Sequence, residues 1–266
     1  MFYLVKKDEL CYYKIKSFEN SGLVSHCFTT KLGGVSKGPY ESMNLRLSSG
    51  DSCDNILKNY QIIADELNMD YKSFVLSKQV HKTDVVKVTN KHKGNGLVRE
   101  NEFLSADSLV TNEKGIPLCT FYADCVPIFL LDTKKEVLAL VHSGWRGTAN
   151  NISGKTVKFM TDNFDSDPSD IIAAIGPSVR QENFEVGFEV SDEFINAGYS
   201  EFIDNSKVKP HIDLQGVVKH QLIKSGVKEC AITDSELCTV KNSDIFFSHR
   251  VMGDQRGTMA AIAMLK

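Results

Sequence analysis

Apolar residues at Ile56, Tyr60, Ile63, Ala64 and Leu67 recur with the period of a helix that buries one face. The spacing predicts a helix over 51–67, capped by Ser52 or Asp54. A second helical pattern runs over 149–164 through Ile152, Val157, Met160 and Phe164. A third starts at Asp213, carries Val217, Val218 and Leu222, and is stopped by Gly226. Short apolar runs read as strands at 74–76, 85–89, 107–111, 116–122, 171–175, 231–232, 245–247 and 259–265, with the turn Asn112-Glu113-Lys114-Gly115 joining the third to the fourth. Two further runs, Cys125–Leu131 and Val137–His142, form a hairpin. The turn between them lacks the Gly or Asn that a two-residue loop favours, so a four-residue loop is expected. Folding about Thr133–Lys134 places Cys125 directly opposite His142. Opposed residues share a face, with Cβ atoms about 4.5–5.5 Å apart, and a slip of one residue would separate them. Strand and helix signals alternate without a repeating βαβ unit. The expected fold is therefore α+β, with mixed β-sheet layers flanked by helices in a single domain over residues 1–266. The longest irregular stretch, Thr29 to Ser49, is glycine-rich and polar, as functional loops of that length are.

Composition narrows the class. At 266 residues, with 42% hydrophobic and 24% charged residues, the chain can bury a full core. A formal charge of −3 without a basic block argues against nucleic acid. The N-terminus lacks the order of a secretory signal, and no apolar run reaches the roughly 18 residues needed to span a bilayer. A cytoplasmic protein with no membrane partner is expected. The seven widely spaced cysteines do not form a disulfide framework. Cys11, Cys27, Cys53, Cys119, Cys230 and Cys238 read as structural thiols, since free cysteine packs as a small hydrophobe.

Cys125 and His142 on one face suit two ligands of one metal ion. His81, in Gln79-Val80-His81-Lys82-Thr83-Asp84 between two strands, is the candidate third. Two histidines and one thiolate are a catalytic zinc set that leaves a fourth position open, whereas a structural Cys₄ site would show paired Cys-x₂-Cys spacings absent here. Asp84 or Asp124 could orient a ligating histidine. After His142, Ser143-Gly144-Trp145-Arg146-Gly147-Thr148 turns from strand into a helix beginning near Ala149. Ser143, Arg146 and the helix N-terminus suit an anion. The loop Thr30–Tyr40 lacks the Gly-Lys-Ser/Thr ending of a P-loop; Ser36 within it and Asn44 and Arg46, which follow it on a strand-like segment, are candidate substrate contacts.

Taken together, Thr-Thr-Lys-Leu-Gly-Gly-Val-Ser-Lys-Gly-Pro-Tyr-Glu-Ser-Met-Asn-Leu, Gln-Val-His, Ala-Asp-Cys-Val-Pro-Ile, His-Ser-Gly-Trp-Arg-Gly, Ile-Gly-Pro-Ser-Val, Phe-Glu-Val-Gly-Phe-Glu-Val and Phe-Ser-His-Arg occur in an order that resembles the laccase-domain proteins, once called multicopper polyphenol oxidases. That resemblance implies purine nucleoside phosphorylase activity on adenosine, inosine, guanosine and methylthioadenosine, with inorganic phosphate as co-substrate and adenosine deamination beside it. It maps the family's zinc ligands onto His81, Cys125 and His142, with Arg146 joining them in catalysis. The chain departs from the pattern at Ser178, where the family often has cysteine. It departs again at Lys31 for arginine and at Arg250-Val251 for a paired arginine.

Seven histidines without a His-x-His pair cannot assemble a multicopper cluster, although Cu²⁺ outcompetes Zn²⁺ at many N/S sites. Two other readings remain at this level. Cys125 and His142 could be the nucleophile and base of an amide hydrolase, a chemistry that would suit peptidoglycan editing. A non-catalytic zinc protein would instead close the site with Asp124, Cys119 or His249.

Overall fold

The computed structural model describes residues 1–266. Along the chain come β1 (Phe2–Lys7), β2 (Leu10–Ile15), α1 (Lys16–Ser21), β3 (Val24–Thr29), α2 (Cys53–Leu67), β4 (Val75–Leu76), β5 (Val85–Lys87), β6 (Ser108–Thr111) and β7 (Leu118–Tyr122). There follow β8 (Val126–Asp132), β9 (Val137–Ser143), α3 (Trp145–Ala149), α4 (Ile152–Phe164), β10 (Ile171–Ile175), α5 (Phe188–Asn196), β11 (Ile203–Asp204), β12 (His211–Ile212), α6 (Leu214–Lys224), β13 (Ile232–Asp234), α7 (His249–Met252) and β14 (Met259–Leu265). One six-stranded sheet is ordered β1-β2-β3-β14-β7-β4 and the other β13-β10-β8-β9-β6-β5, with β11 and β12 a separate ribbon. Both mix parallel and antiparallel pairs. This is the α+β class expected.

The layers follow from side-chain parity. On β14, Met259, Ala261, Ala263 and Leu265 face one way and Ala260 and Ile262 the other. The first set packs with Phe129, Leu131, Leu138 and Leu140 of the second sheet, so the two sheets sandwich a common core. Ile56, Tyr60, Ile63 and Leu67 of α2 cover the outer face of the first sheet. Ile152, Val157 and Met160 of α4, with Val217, Val218 and Leu222 of α6, cover the outer face of the second. The central strands of both sheets are thus buried on both faces, and they read as unbroken apolar runs for that reason.

Several expectations change. The β8–β9 loop has four residues, Thr133–Glu136, but it closes on Asp132↔Val137. His142 therefore pairs with Pro127, and Cys125 stands diagonal to it. Because the shift moves each partner by an even step, both still face the inter-sheet layer. Strands β6 and β7 do not form a hairpin: β6 pairs with β9 and β5, β7 with β14 and β4. The 149–164 helix is broken where Asn151 adopts left-handed backbone and caps α4 through its side chain to the Gly154 N–H. Residues 245–247 form a turn on the Asn242 carbonyl, with Phe246 and Phe247 buried. The N-terminal strands β1, β2 and β3 were not apparent from the pattern.

The Thr29–Ser49 stretch is folded onto the body by one residue of α2. Buried Asn59 accepts from the Val35 N–H (2.8 Å) and donates to Ser36 Oγ (2.9 Å), Ser42 O (3.2 Å) and Asn44 O (2.8 Å). Replacing Asn59 with Ala should cost about 2–4 kcal/mol, since it strands several buried loop groups. The measurement is denaturant unfolding against the unaltered chain.

Candidate metal centre and active site

His142 ends the inward face of β9 and is 2% exposed. Cys125 immediately precedes β8 and is half-buried. Between β7 and β8 the chain turns through Asp124 at φ 86°, a conformation held by three donors. Thr239 Oγ1 (2.6 Å) meets one Asp124 oxygen, and Ser248 Oγ (3.0 Å) and the Arg250 N–H (2.8 Å) meet the other. His81 arrives on the loop between β4 and β5, itself at φ 60°. Ligand atoms of His81, Cys125 and His142 all lie within 4.8 Å of one another.

Asp107 fixes this arrangement. Its Oδ1 accepts from the His81 N–H (3.1 Å) and lies 2.8 Å from His142 Nδ1. Its Oδ2 accepts the N–H groups of Val80 and Lys82, both at 3.1 Å. Its own carbonyl accepts the His142 N–H at 2.7 Å. One fully buried carboxylate thus orients the His142 ring, leaving Nε2 to face the cluster, and shapes the backbone that carries His81. Burial pushes the Asp107 carboxyl up. Its bond to His142, the charge there, and the N–H groups of Val80 and Lys82 outweigh that and hold it below the usual range.

The thiol and imidazole shift each other. Burial disfavours the Cys125 thiolate, but His142 and His81 bring the thiol well below its ordinary value. Burial likewise disfavours the His142 imidazolium, while the Cys125 thiolate and Asp107 raise it above its ordinary value. A thiolate is the form that binds metals and attacks electrophiles. Gly144 completes the fit through close approach: a Cβ there would lie 2.7 Å from His81 Nδ1 and 3.4 Å from Cys125 Sγ.

The family model described as multi-copper polyphenol oxidoreductase laccase matches residues 25–266. The chain belongs to this laccase family. It is 36% identical over 252 residues to a protein of Bacillus subtilis named purine nucleoside phosphorylase YlmD, covering 93% of this chain and 91% of that protein. It is 31% identical to a purine nucleoside phosphorylase of Bacteroides thetaiotaomicron, covering 98% of each. The crystal structure of YlmD from Geobacillus stearothermophilus superposes with a TM-score of 0.91 at 31% identity over 100% of both chains.

Within this laccase-family fold, the other candidate residues fall into two groups. Arg146 and Arg46 are exposed on clefts that border the cluster, Arg146 stacked 4.2 Å over the Trp145 ring. Ser36, Asn44 and Ser143 are buried and bonded to protein groups. Ser36 Oγ accepts from Asn59. Ser143, adjacent to His142 on a strand, points to the opposite face and bonds Thr148 Oγ1 at 2.7 Å. The Asn44 side-chain carbonyl accepts the N–H groups of Arg46 (3.2 Å) and Thr258 (3.1 Å), so it acts on position rather than contact. Helix α3 is only five residues long, too short for the anion-binding N-terminus anticipated. Two of the departures from the motifs are structural in this chain. Lys31 Nζ donates to Ser243 O at 2.7 Å, and Ser178 Oγ accepts from Gln215 at 2.6 Å. Neither Asp84 nor Asp124 touches a ligating ring; Asp84 instead accepts from Ser105 Oγ. Asp107 and Arg256 were missed. Asp107 sits at a strand start, where its side chain reads as an ordinary turn group, and Arg256 lies in a polar loop without periodicity.

Two outcomes follow from this geometry. Asp107→Asn puts an amide donor against the His142 ring, and metal affinity should fall about 10–100-fold, read by chelator competition. In metal-free protein, iodoacetamide should label Cys125 at pH 7 faster than exposed Cys53 or Cys230. The rate should drop as falling pH protonates the thiolate, at a midpoint well below the about 8.5 of a free thiol, and added Zn²⁺ should suppress it. Peptide mapping reads each site.

Proposed function

We propose that this chain, acting as one domain over residues 1–266, is a zinc-dependent purine nucleoside phosphorylase with adenosine deamination as a second activity. The observation that carries the reading is a His-Cys-His cluster opening onto a cleft of about 830 Å³ that Trp145 and Phe184 line together with Arg146, Arg250 and Arg256. That volume suits a small organic ligand, and apolar walls with a few fixed charges suit a purine carrying a sugar. Full-length kinship with relatives named purine nucleoside phosphorylase supports the same reading.

His81, Cys125 and His142 would hold the ion, with Asp107 keeping His142 in the ligating tautomer. When bound, such an ion supplies Lewis acidity and a water pKa lowered toward about 7. The substrates are adenosine, inosine, guanosine and S-methyl-5′-thioadenosine. In phosphorolysis, an oxygen of hydrogen phosphate bonds C1′ as the C1′–N9 bond breaks. The electron pair leaves with the base, and the phosphate's proton ends on it. Arginines around the cluster balance the charge that moves. In deamination, water adds at C6 of adenosine and ammonia leaves, giving inosine.

One feature favours the amide-hydrolase reading: Asp107, His142 and Cys125 align as orienter, base and nucleophile. His81 on the same sulfur favours the metal instead, since two imidazoles converging on one thiolate make a ligand set. Metal-replete protein should convert inosine to hypoxanthine and ribose 1-phosphate only when phosphate is present, and adenosine partly to inosine without it. Chelation should abolish both activities while circular dichroism stays unchanged. Inertness toward all four nucleosides, or turnover that survives complete metal removal, would defeat the reading.

A further inference from the structure

Two clefts of different chemistry meet at the cluster. The larger is walled by Val80, Trp145, Val179, Phe184 and Leu214. The smaller, about 280 Å³, runs from His81, Cys125 and His142 past Gln79, Asn101 and Tyr122 to Arg46 and Thr258. Arg256 lines both. No aspartate or glutamate lines the smaller cleft, yet three cations do: Arg46, Lys78 and Arg256.

The two arginines of this wall have no acidic hydrogen-bond partner, and two of its polar atoms have no partner at all. Arg46 Nε donates to Ser48 Oγ at 2.9 Å, and Arg256 Nη1 donates to Gly253 O at 2.9 Å, neither of which is a counter-charge. Arg256 Nε and Thr258 Oγ1 are both buried with no hydrogen-bond partner. Buried polar atoms are nearly always paired, so two orphans on one wall mark an acceptor that the protein does not provide. A guanidinium is also costly to hold half-buried without an anion. Burial lowers Arg256 from its ordinary value, nearby Arg46 adds to that, and Asp124 opposes it. Asn44 holds the two sides in register, because its one oxygen accepts the N–H groups of both Arg46 and Thr258.

The geometry points to a division of the site, and it rests on the phosphorylase reading above. We propose that the smaller cleft is the phosphate subsite, with Arg256, Thr258 and Arg46 donating to the oxygens of inorganic phosphate, while the purine lies in the larger cleft against Trp145 and Phe184. Arg146, stacked on Trp145 in the larger cleft, then belongs to the nucleoside side. A tetrahedral oxyanion offers enough acceptors for the orphaned N–H, the orphaned hydroxyl and a second guanidinium together. Arg256 also stands where an anion in one cleft adjoins a sugar in the other.

Metal-replete full-length protein is compared with Arg256→Gln, Arg256→Lys and Thr258→Val. Arg256→Gln should raise the phosphate KM at least about tenfold, the scale of a lost charge-assisted contact, with the inosine KM within about threefold. Arg256→Lys should recover part of the loss. Thr258→Val should raise the phosphate KM about threefold or more without lowering Tm in phosphate-free buffer, because its hydroxyl has no protein partner to lose. Trp145 is the one tryptophan, so its fluorescence reports inosine binding independently; that titration should be unchanged in Thr258→Val and shift by no more than about threefold in the Arg256 variants. A phosphate KM unchanged in both Arg256→Gln and Thr258→Val, or an inosine KM rising in parallel, overturns the assignment while leaving phosphorolysis intact. If the unaltered protein makes no ribose 1-phosphate, the phosphorylase reading fails by itself. The thermal shift induced by inorganic phosphate then decides: lost in Arg256→Gln, it upholds an anion subsite, and retained at full size, it refutes one.

Discussion

Asp107 carries a full negative charge in a place that excludes water, and the site depends on how that charge is satisfied. Five hydrogen bonds converge on this residue: three backbone N–H groups and one imidazole on its carboxylate, and the His142 N–H on its carbonyl. A buried carboxylate with any of these missing would be strongly unfavourable. The same groups that stabilise it therefore have to be where they are. Because three of them belong to the metal-ligand candidates His81 and His142, the geometry of the cluster is tied to the folding of the second sheet.

The four-layer arrangement explains why the cluster forms at one end of the sandwich. The inter-sheet layer is filled by residues such as Phe28, Tyr122, Phe129 and Leu140. Its end at His142 is floored by Tyr122, whose hydroxyl bonds the Val141 carbonyl at 2.9 Å and whose ring centroid lies 5.7 Å from that of His142. Apolar packing thus holds the candidate ligand rings from below, while the loops at 80–82 and 123–125 and the start of α3 at 144–146 surround them from above. Loops placed by such a scaffold can carry chemistry without destabilising the core.

How much of this was legible in the sequence depends on what each property averages over. Parity survives: Cys125 and His142 share a face under any even shift of the hairpin, so the pairing could be misplaced and the convergence still reached. Register does not, because it depends on where the Thr133–Glu136 loop starts, and Asp132 accepting the N–H groups of Lys134 and Lys135 decides that locally. Apolar runs locate strands but not their neighbours, so β6 and β7 looked like a hairpin although they serve different sheets. Periodicity could not reveal the break at Asn151, where one residue leaves the helical region. Asp107 acts through contacts far apart in the chain and Arg256 lines clefts built from distant segments, and no local pattern encodes either. Motif order, in contrast, carried the family.

Whether the cluster can be a closed structural site is a question of which side chains remain free to complete it. Asp124 is near, but its two oxygens already serve Thr239, Ser248 and the Arg250 N–H, and turning it inward would strand three donors. Cys119 lies on the opposite face of the first sheet, against Tyr60 and α2. His249 opens the helix His249–Met252 at the rim, its ring 3.7 Å from Asp254 and half-exposed. None of the three joins the ligand group, and the space beside it is walled by arginines and an aromatic pair instead. Three donors fixed from behind with cationic clefts in front are what a site built to accept an exchangeable ligand requires. A purely structural ion would instead be served by a fourth protein donor in that position.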